Sequence, residues 1–122
     1  MSIIITLPLP HKNLSPNARC HWRARAKATQ GYRYAASVEG FKLFGHGGPR
    51  WTAATVQCTF YFKDIRRRDA DNLLASMKAA FDGFADAGLV VNDAAFTYLP
   101  VKQEKDKSNP RVVVEIRKDG AE

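Results

Sequence analysis

Three consecutive arginines, Arg66, Arg67 and Arg68, run straight into Asp69 and Asp71, two carboxylates one residue apart. Asn72 follows, then Lys78, then Asp82, and Asp93 comes after the Ala87-Gly88-Leu89 stretch. Carboxylate oxygens are the ligands a hard cation such as Mg²⁺ prefers, and the ion needs only a few from protein because it keeps waters in its other positions. Asp69, Asp71 and Asp93, drawn from two segments, would suit one such ion, or two sharing a ligand. The ion could polarise a phosphoryl oxygen and lower the pKa of a bound water. On a helix, Asp71, Lys78 and Asp82 fall within one narrow stripe. Lys78 would then stand beside the acids, able to stabilise charge developing on a phosphate or to orient an attacking water. The chemistry this implies is metal-assisted cleavage of a phosphodiester. Each feature also has a plainer explanation. An Asp before a helix caps it, Lys78 and Asp82 at i,i+4 make a solvated ion pair, and Asp93 after Asn92 can be a turn residue. Their conjunction, directly after three arginines, favours the site.

The elements that must position these groups follow from periodicity. Ser2 to Leu7 reads as a β-branched strand closed by Pro8-Leu9-Pro10, and residues 10 to 18 as a loop. Arg19, Arg23, Arg25 and Lys27 punctuate the next stretch, read as extended or irregular, with a helix from about Ala26 to Phe44 whose apolar stripe is Tyr34, Val38 and Phe41. The Gly45-His46-Gly47-Gly48-Pro49 loop lacks the strand-loop-helix setting of a phosphate-binding fingerprint. Thr55 to Lys63 alternates, with Val56, Cys58, Phe60 and Phe62 facing one way. Asp69 or Asp71 can cap a following helix with Ala70, Leu73, Leu74, Met77, Ala80, Phe81 and Phe84 on its apolar face and its end at Gly88. Phe96 to Glu104 and Arg111 to Lys118 read as strands joined by a polar hairpin loop. The expectation is a single α+β domain over residues 1–122, with a mixed sheet of about four strands and two main helices.

Composition sets the partner class. The 122 residues carry a net charge of +7, with 45% apolar and 25% charged residues, an ordinary globular balance. No apolar run approaches the ~20 residues of a membrane span. The charge is uneven. Residues 1–63 hold nine Lys or Arg and one acid, Glu39, while the other eleven acids follow. A field of this kind captures polyanions, which makes nucleic acid the favoured partner. Trp22, Tyr32 and Tyr34 among the cations could stack on bases, with core packing the expected role of at least one. Cys20 and Cys58 have no CxxC spacing, and His11, His21 and His46 no metal spacing. The histidines are expected in loops or on phosphates.

Arg67-Arg68-Asp69-Ala70-Asp71-Asn72-Leu73, Lys78-Ala79-Ala80-Phe81-Asp82-Gly83, Ala87-Gly88-Leu89 and Asn92-Asp93 together resemble the RusA family of Holliday junction resolvases, crossover junction endodeoxyribonucleases common in bacteriophages and prophages. The opening strand, Pro8-Leu9-Pro10 and Ser15-Pro16-Asn17 fit the same pattern, so the resemblance spans most of the chain. It implies a small homodimer with Mg²⁺-dependent activity (Mn²⁺ substituting) that nicks a four-way junction symmetrically in DNA recombination and repair. By position, Asp69, Asp71 and Asp93 would be the catalytic metal ligands and Lys78 the catalytic lysine. Asn17, Arg19, Arg23, Arg25, Lys27, Arg66, Arg67, Arg68 and Asn72 would contact nucleic acid. The setting implied is the cytoplasm of a bacterial host, with no membrane. Two departures stand out. Lys78 lies one helical turn later than the lysine of some members, and Asn92 replaces the first of two adjacent aspartates. The alternatives are a basic nucleic-acid-binding module without catalysis, or a nuclease acting on other branched DNA.

Overall fold

Alternation between two faces builds the sheet, and the register across strands shows how. In the computed structural model, which describes residues 2–119, Ile3, Ile116 and Val56 sit side by side, as do Ile5, Val114 and Cys58, and Leu7, Val112 and Phe60. Each row is buried, and one buried row follows the next every second residue, as the pleat requires. The strands are β1 (Ser2–Leu7), β2 (Ala54–Phe62), β3 (Phe96–Tyr98), β4 (Lys102–Lys105) and β5 (Arg111–Lys118). Their order is β1-β5-β2-β3, with β4 also paired to β2. β5 is antiparallel to both neighbours, while β3 and β4 run parallel to β2, so the sheet is mixed.

Two strand expectations change. The stretch from Phe96 to Glu104 is broken around Leu99 and Pro100. Proline has no N–H for the ladder, and the Pro100 carbonyl instead accepts from the Gln57 side chain at 2.6 Å. β4 and β5 also form no hairpin, because β2 lies between them. The connecting loop passes the end of β2, where Asp106 N–H donates to the Phe62 carbonyl at 2.7 Å. Local sequence cannot distinguish a turn between neighbours from a turn that skips a strand.

The helices cover one face. Helix α1 (Trp22–Phe44) starts earlier than its sequence suggests, because the His21 ring caps it and Nδ1 accepts from Arg23 N–H at 3.1 Å. Its buried face is Tyr32, Ala36, Ser37 and Gly40, and Tyr34 and Phe41 are exposed. The stripe consists mostly of small residues, which carry little hydropathy signal. The Tyr32 hydroxyl donates to the Pro8 carbonyl at 2.8 Å and so ties α1 to the end of β1.

The acidic helix is two helices, α2 (Ala70–Ala75) and α3 (Lys78–Asp86). At the joint the Ser76 hydroxyl donates to the Leu73 carbonyl at 2.6 Å, and Met77 N–H reaches back only three residues, to Leu74. Back-bonding serines and such tightened turns bend helices. α3 ends at Gly88, whose φ of +82° suits glycine. Gly88 N–H donates to Ala85 and Leu89 N–H to Phe84, closing a Schellman cap. α1 and α3 approach closely, since a Cβ on Gly83 would run into the Arg33 carbonyl oxygen. Phe81, Phe84, Tyr32 and Ala36 join the sheet rows in one core. Cys58 lies within it, its thiol pushed up to about 12 by burial. Among the described residues, no helix is long and apolar enough to cross a membrane.

Candidate active site

The two halves of the motif come from α2 and from the start of α3. Asp69 is the N-cap of α2, and its Oδ1 accepts from Asn72 N–H at 3.0 Å. Asp71 lies in the first turn, where a negative charge suits the helix dipole. Among the described residues its exposed carboxylate has no protein hydrogen bond. The helix repeat sends these neighbours to different sides. Asp69, Asn72, Leu73 and Ser76 line one hollow, while Asp71, Leu74, Ala75 and Lys78 line another with Phe81 and Tyr98. Residues two apart on a helix are rotated by about 200°.

Lys78 joins the second hollow to Asp93. Its ammonium donates to Asp93 Oδ2 at 2.8 Å and to Asp82 Oδ1 at 3.4 Å. Asp93 opens a short 3-10 turn, Asp93–Ala95, that Asn92 caps by accepting from Ala94 N–H at 2.9 Å. The Asn92 side-chain oxygen therefore serves the backbone. The ion pair fixes both charges. The Asp93 carboxyl is held below its usual range chiefly by the hydrogen bond from Lys78, and Lys78 is raised chiefly by the hydrogen bond to Asp93. At neutral pH Lys78 is thus an ammonium, suited to stabilising negative charge and unsuited to accepting a proton. Asp82 and Asp93 line a further small hollow with Arg33 and Asp86, so Lys78 is the bridge between the two sides.

Lys78, Asp82 and Asp93 are brought together, Asp71 borders the hollow that Lys78 lines, and Asp69 is turned to the far side of α2. The donor chemistry suits a hard divalent ion, since every candidate offers oxygen. The described residues hold no ready cluster of three acidic, histidine or cysteine side chains at metal-holding distance. The ammonium of Lys78 is the cation that Asp82 and Asp93 share here.

The expected nucleic-acid contacts divide sharply. Arg66 and Arg67 are exposed on the loop before α2, and Asn17, Arg19, Arg23 and Lys27 are exposed at and before the start of α1. Arg23 also lies 5.3 Å from the ring of Trp22, which is 68% exposed. Arg25 has a different task. Its guanidinium donates to the carbonyls of Ser15 at 3.3 Å and Ala18 at 3.0 Å, holding the loop before α1. Arg68 is likewise committed, stacked 3.7 Å from the Phe62 ring centroid and paired with Asp64 at 3.2 Å. His11 and His21 use Nδ1 to cap backbone N–H groups. Tyr98 forms the wall beside Asp71 and Lys78. Its phenol is raised chiefly by burial, with Lys78 pulling the other way. An aromatic in a strand reads as packing, so no local signal marks it.

No protein-family model matches the chain. An uncharacterized protein of Xylella fastidiosa (strain Temecula1) is 36% identical over 115 residues, covering 92% of this chain and 74% of that protein. The chain belongs to the same family as that Xylella protein.

Proposed function

We propose that the protein is a metal-dependent, structure-specific endodeoxyribonuclease that resolves four-way DNA junctions by paired nicks, as its resemblance to the RusA family suggests. The observation that carries this reading is Lys78 joined to Asp82 and Asp93 and sharing a hollow with Asp71, in a basic protein. Asp71 and Asp93 would hold a Mg²⁺ or Mn²⁺ ion, while Asp69, which the resemblance adds to the ligand set, caps the far side of α2. Such an ion supplies an acidified water and neutralises charge on the phosphoryl group. Lys78 stabilises negative charge on the phosphate, and its ammonium keeps Asp93 ionised. Arg66, Arg67, Arg19, Arg23 and Lys27 bind backbone phosphates, contacts that carry shape and no direct sequence information. A two-fold homodimer would match the approximate two-fold symmetry of a junction and cut opposite strands. The setting is the cytoplasm of a bacterial host, with phage or prophage encoding in keeping with the resemblance.

The test is incubation with a synthetic four-way junction and Mg²⁺. Wild type is expected to leave paired nicks. Asp71→Asn and Asp93→Asn should each lose about a hundredfold in rate, the scale of removing one charge-stabilising group. Asp71→Asn should lower stability only slightly, by about 0.3–1 kcal/mol from the lost charge at the start of α2, because its exposed carboxylate has no protein hydrogen bond among the described residues. A second reading, a binding module without catalysis, is favoured by one observation: Asp69 acts as a helix cap while Lys78 neutralises Asp82 and Asp93. Tight junction binding with no nicking under any divalent ion would establish that reading and overturn the first. Nicking of flaps or forks in preference to junctions would replace the substrate and keep the chemistry.

A further inference from the structure

The face of α2 turned away from Lys78 borders a hollow of about 550 Å³ between that helix, the end of β2 and the loop after β1. Its volume falls in the range of small-molecule sites, about 300–1,000 Å³. Leu9, Pro10, Leu73 and the edge of Phe62 give it apolar walls, Lys12, Arg66 and His11 bring positive or donor groups, and Asp69 adds one carboxylate. A phosphate alone would leave the apolar walls without a partner. A nucleobase, with flat apolar faces and a polar edge, fits both halves.

Arg68 sharpens the match. Its guanidinium stacks on Phe62, donates to the Arg66 carbonyl at 2.6 Å and pairs with Asp64. Its backbone is fixed from both ends by Gln103, which accepts from Arg68 N–H at 3.0 Å and donates to the Arg68 carbonyl at 2.9 Å. The result is a preset cationic plane lining the hollow, and unstacked bases pack on such planes and on aromatic rings. Edge groups are also in place. His11 accepts at Nδ1 from Asn13 N–H, so in the neutral ring its proton sits on Nε2 as a donor. Asn72 adds a side-chain amide that can both donate and accept.

We propose that this hollow receives one unstacked nucleobase of the bound DNA, next to the strand whose phosphate lies at Asp71 and Lys78. The proposal rests on the branched-DNA reading and adds a base-binding subsite to it. The experiment is a scan of four-way junctions carrying one abasic nucleotide at successive positions around the crossover. Affinity is measured in Ca²⁺ and nicking in Mg²⁺. One position is expected to lose about tenfold in affinity, the scale of one stacked base, with the others close to unmodified DNA. Arg68→Lys keeps the charge and loses the plane. It should weaken binding of intact junctions by a similar factor and abolish the penalty at that one position. Asn72→Ala, at a helix position that suits alanine, should reduce the same penalty without removing the plane. A flat scan overturns the pocket and leaves the nuclease reading standing. Equal loss on intact and abasic junctions for both variants also overturns it. Absence of nicking with a position-specific affinity loss does the reverse, overturning the nuclease reading and supporting the pocket. Absence of any junction binding overturns both.

Discussion

The stretch from Asp69 to Asp86 has the pattern of one amphipathic helix, yet its two halves are held in opposite ways. α3 buries Ala79, Ala80, Phe81, Gly83 and Phe84 and is locked under α1, where Gly40 and Gly83 let the helices close. Every residue of α2 keeps part of its surface exposed, and Asp69 caps its first turn. The difference bears directly on the site. Lys78 and Asp82 ride on the gripped helix and meet Asp93 there, while Asp69 and Asp71 belong to the lightly packed one. The convergence of Asp71 with Lys78 therefore depends on the joint at Ser76 and Met77, where buried Met77 plugs into the core. A firm platform carries the cation, and a lighter arm carries the free carboxylate.

Breaking the platform should have the largest effect. Gly83→Ala pushes a methyl group into the Arg33 carbonyl and to 2.9 Å from Ala36 Cβ, neither of which can swing aside. Overpacking of this kind costs about 1–3 kcal/mol, read as a lower denaturation midpoint in urea. Lys78→Ala tests the charge on the platform. Without the ammonium, Asp93 loses the chief cause of its lowering and should titrate at higher pH than in wild type. In the nuclease reading the acid limb of the rate profile moves up in pH, and the rate falls about a hundredfold at neutral pH, the scale of removing one charge-stabilising group. NMR titration of Asp93 checks the shift without activity.

The arm is probed by Asp69. Asp69→Ala removes the cap of α2 and should cost about 1 kcal/mol, whereas Asp69→Asn keeps a capping oxygen and should cost little. Thermal melts of the pair isolate the cap. A nicking defect in Asp69→Asn alone would then assign its carboxylate to the ion. Asp86→Asn should give the smallest change. Arg33 grips Asp86 through two hydrogen bonds of 2.6 and 2.8 Å across the α1–α3 contact. Asp86 is held below its usual range chiefly by that hydrogen bond. Its contribution is therefore present above about pH 4 and lost as pH falls through the depressed value. For a largely exposed pair it amounts to about 1 kcal/mol or less. Stability curves of wild type and variant should converge at low pH.

Much was readable without coordinates. Period-two alternation located β2 to within a residue, because a strand with one buried face must alternate, while a β-branched run stopped by Pro8 located β1 and the polar loop ending at Pro110 located the start of β5. Gly88 marked the end of α3, since only glycine accepts its backbone angle readily. The acids, the lysine and the arginine loop were visible as residue types at a spacing. Other features belong to the tertiary structure alone. The buried stripe of α1 is made of small residues chosen for close approach to α3, and closeness leaves no trace in hydropathy. The skipped strand between β4 and β5 is a property of the whole sheet. Arg25 and Arg68 look like any surface cation, and only the fold shows their guanidinium groups turned to carbonyls, to Asp64 and to Phe62. The same holds for Asp69 and Asp71. The sequence specified two carboxylates, and the helix beginning between them sent each to a different side, because one backbone step on a helix is a rotation as well as a translation.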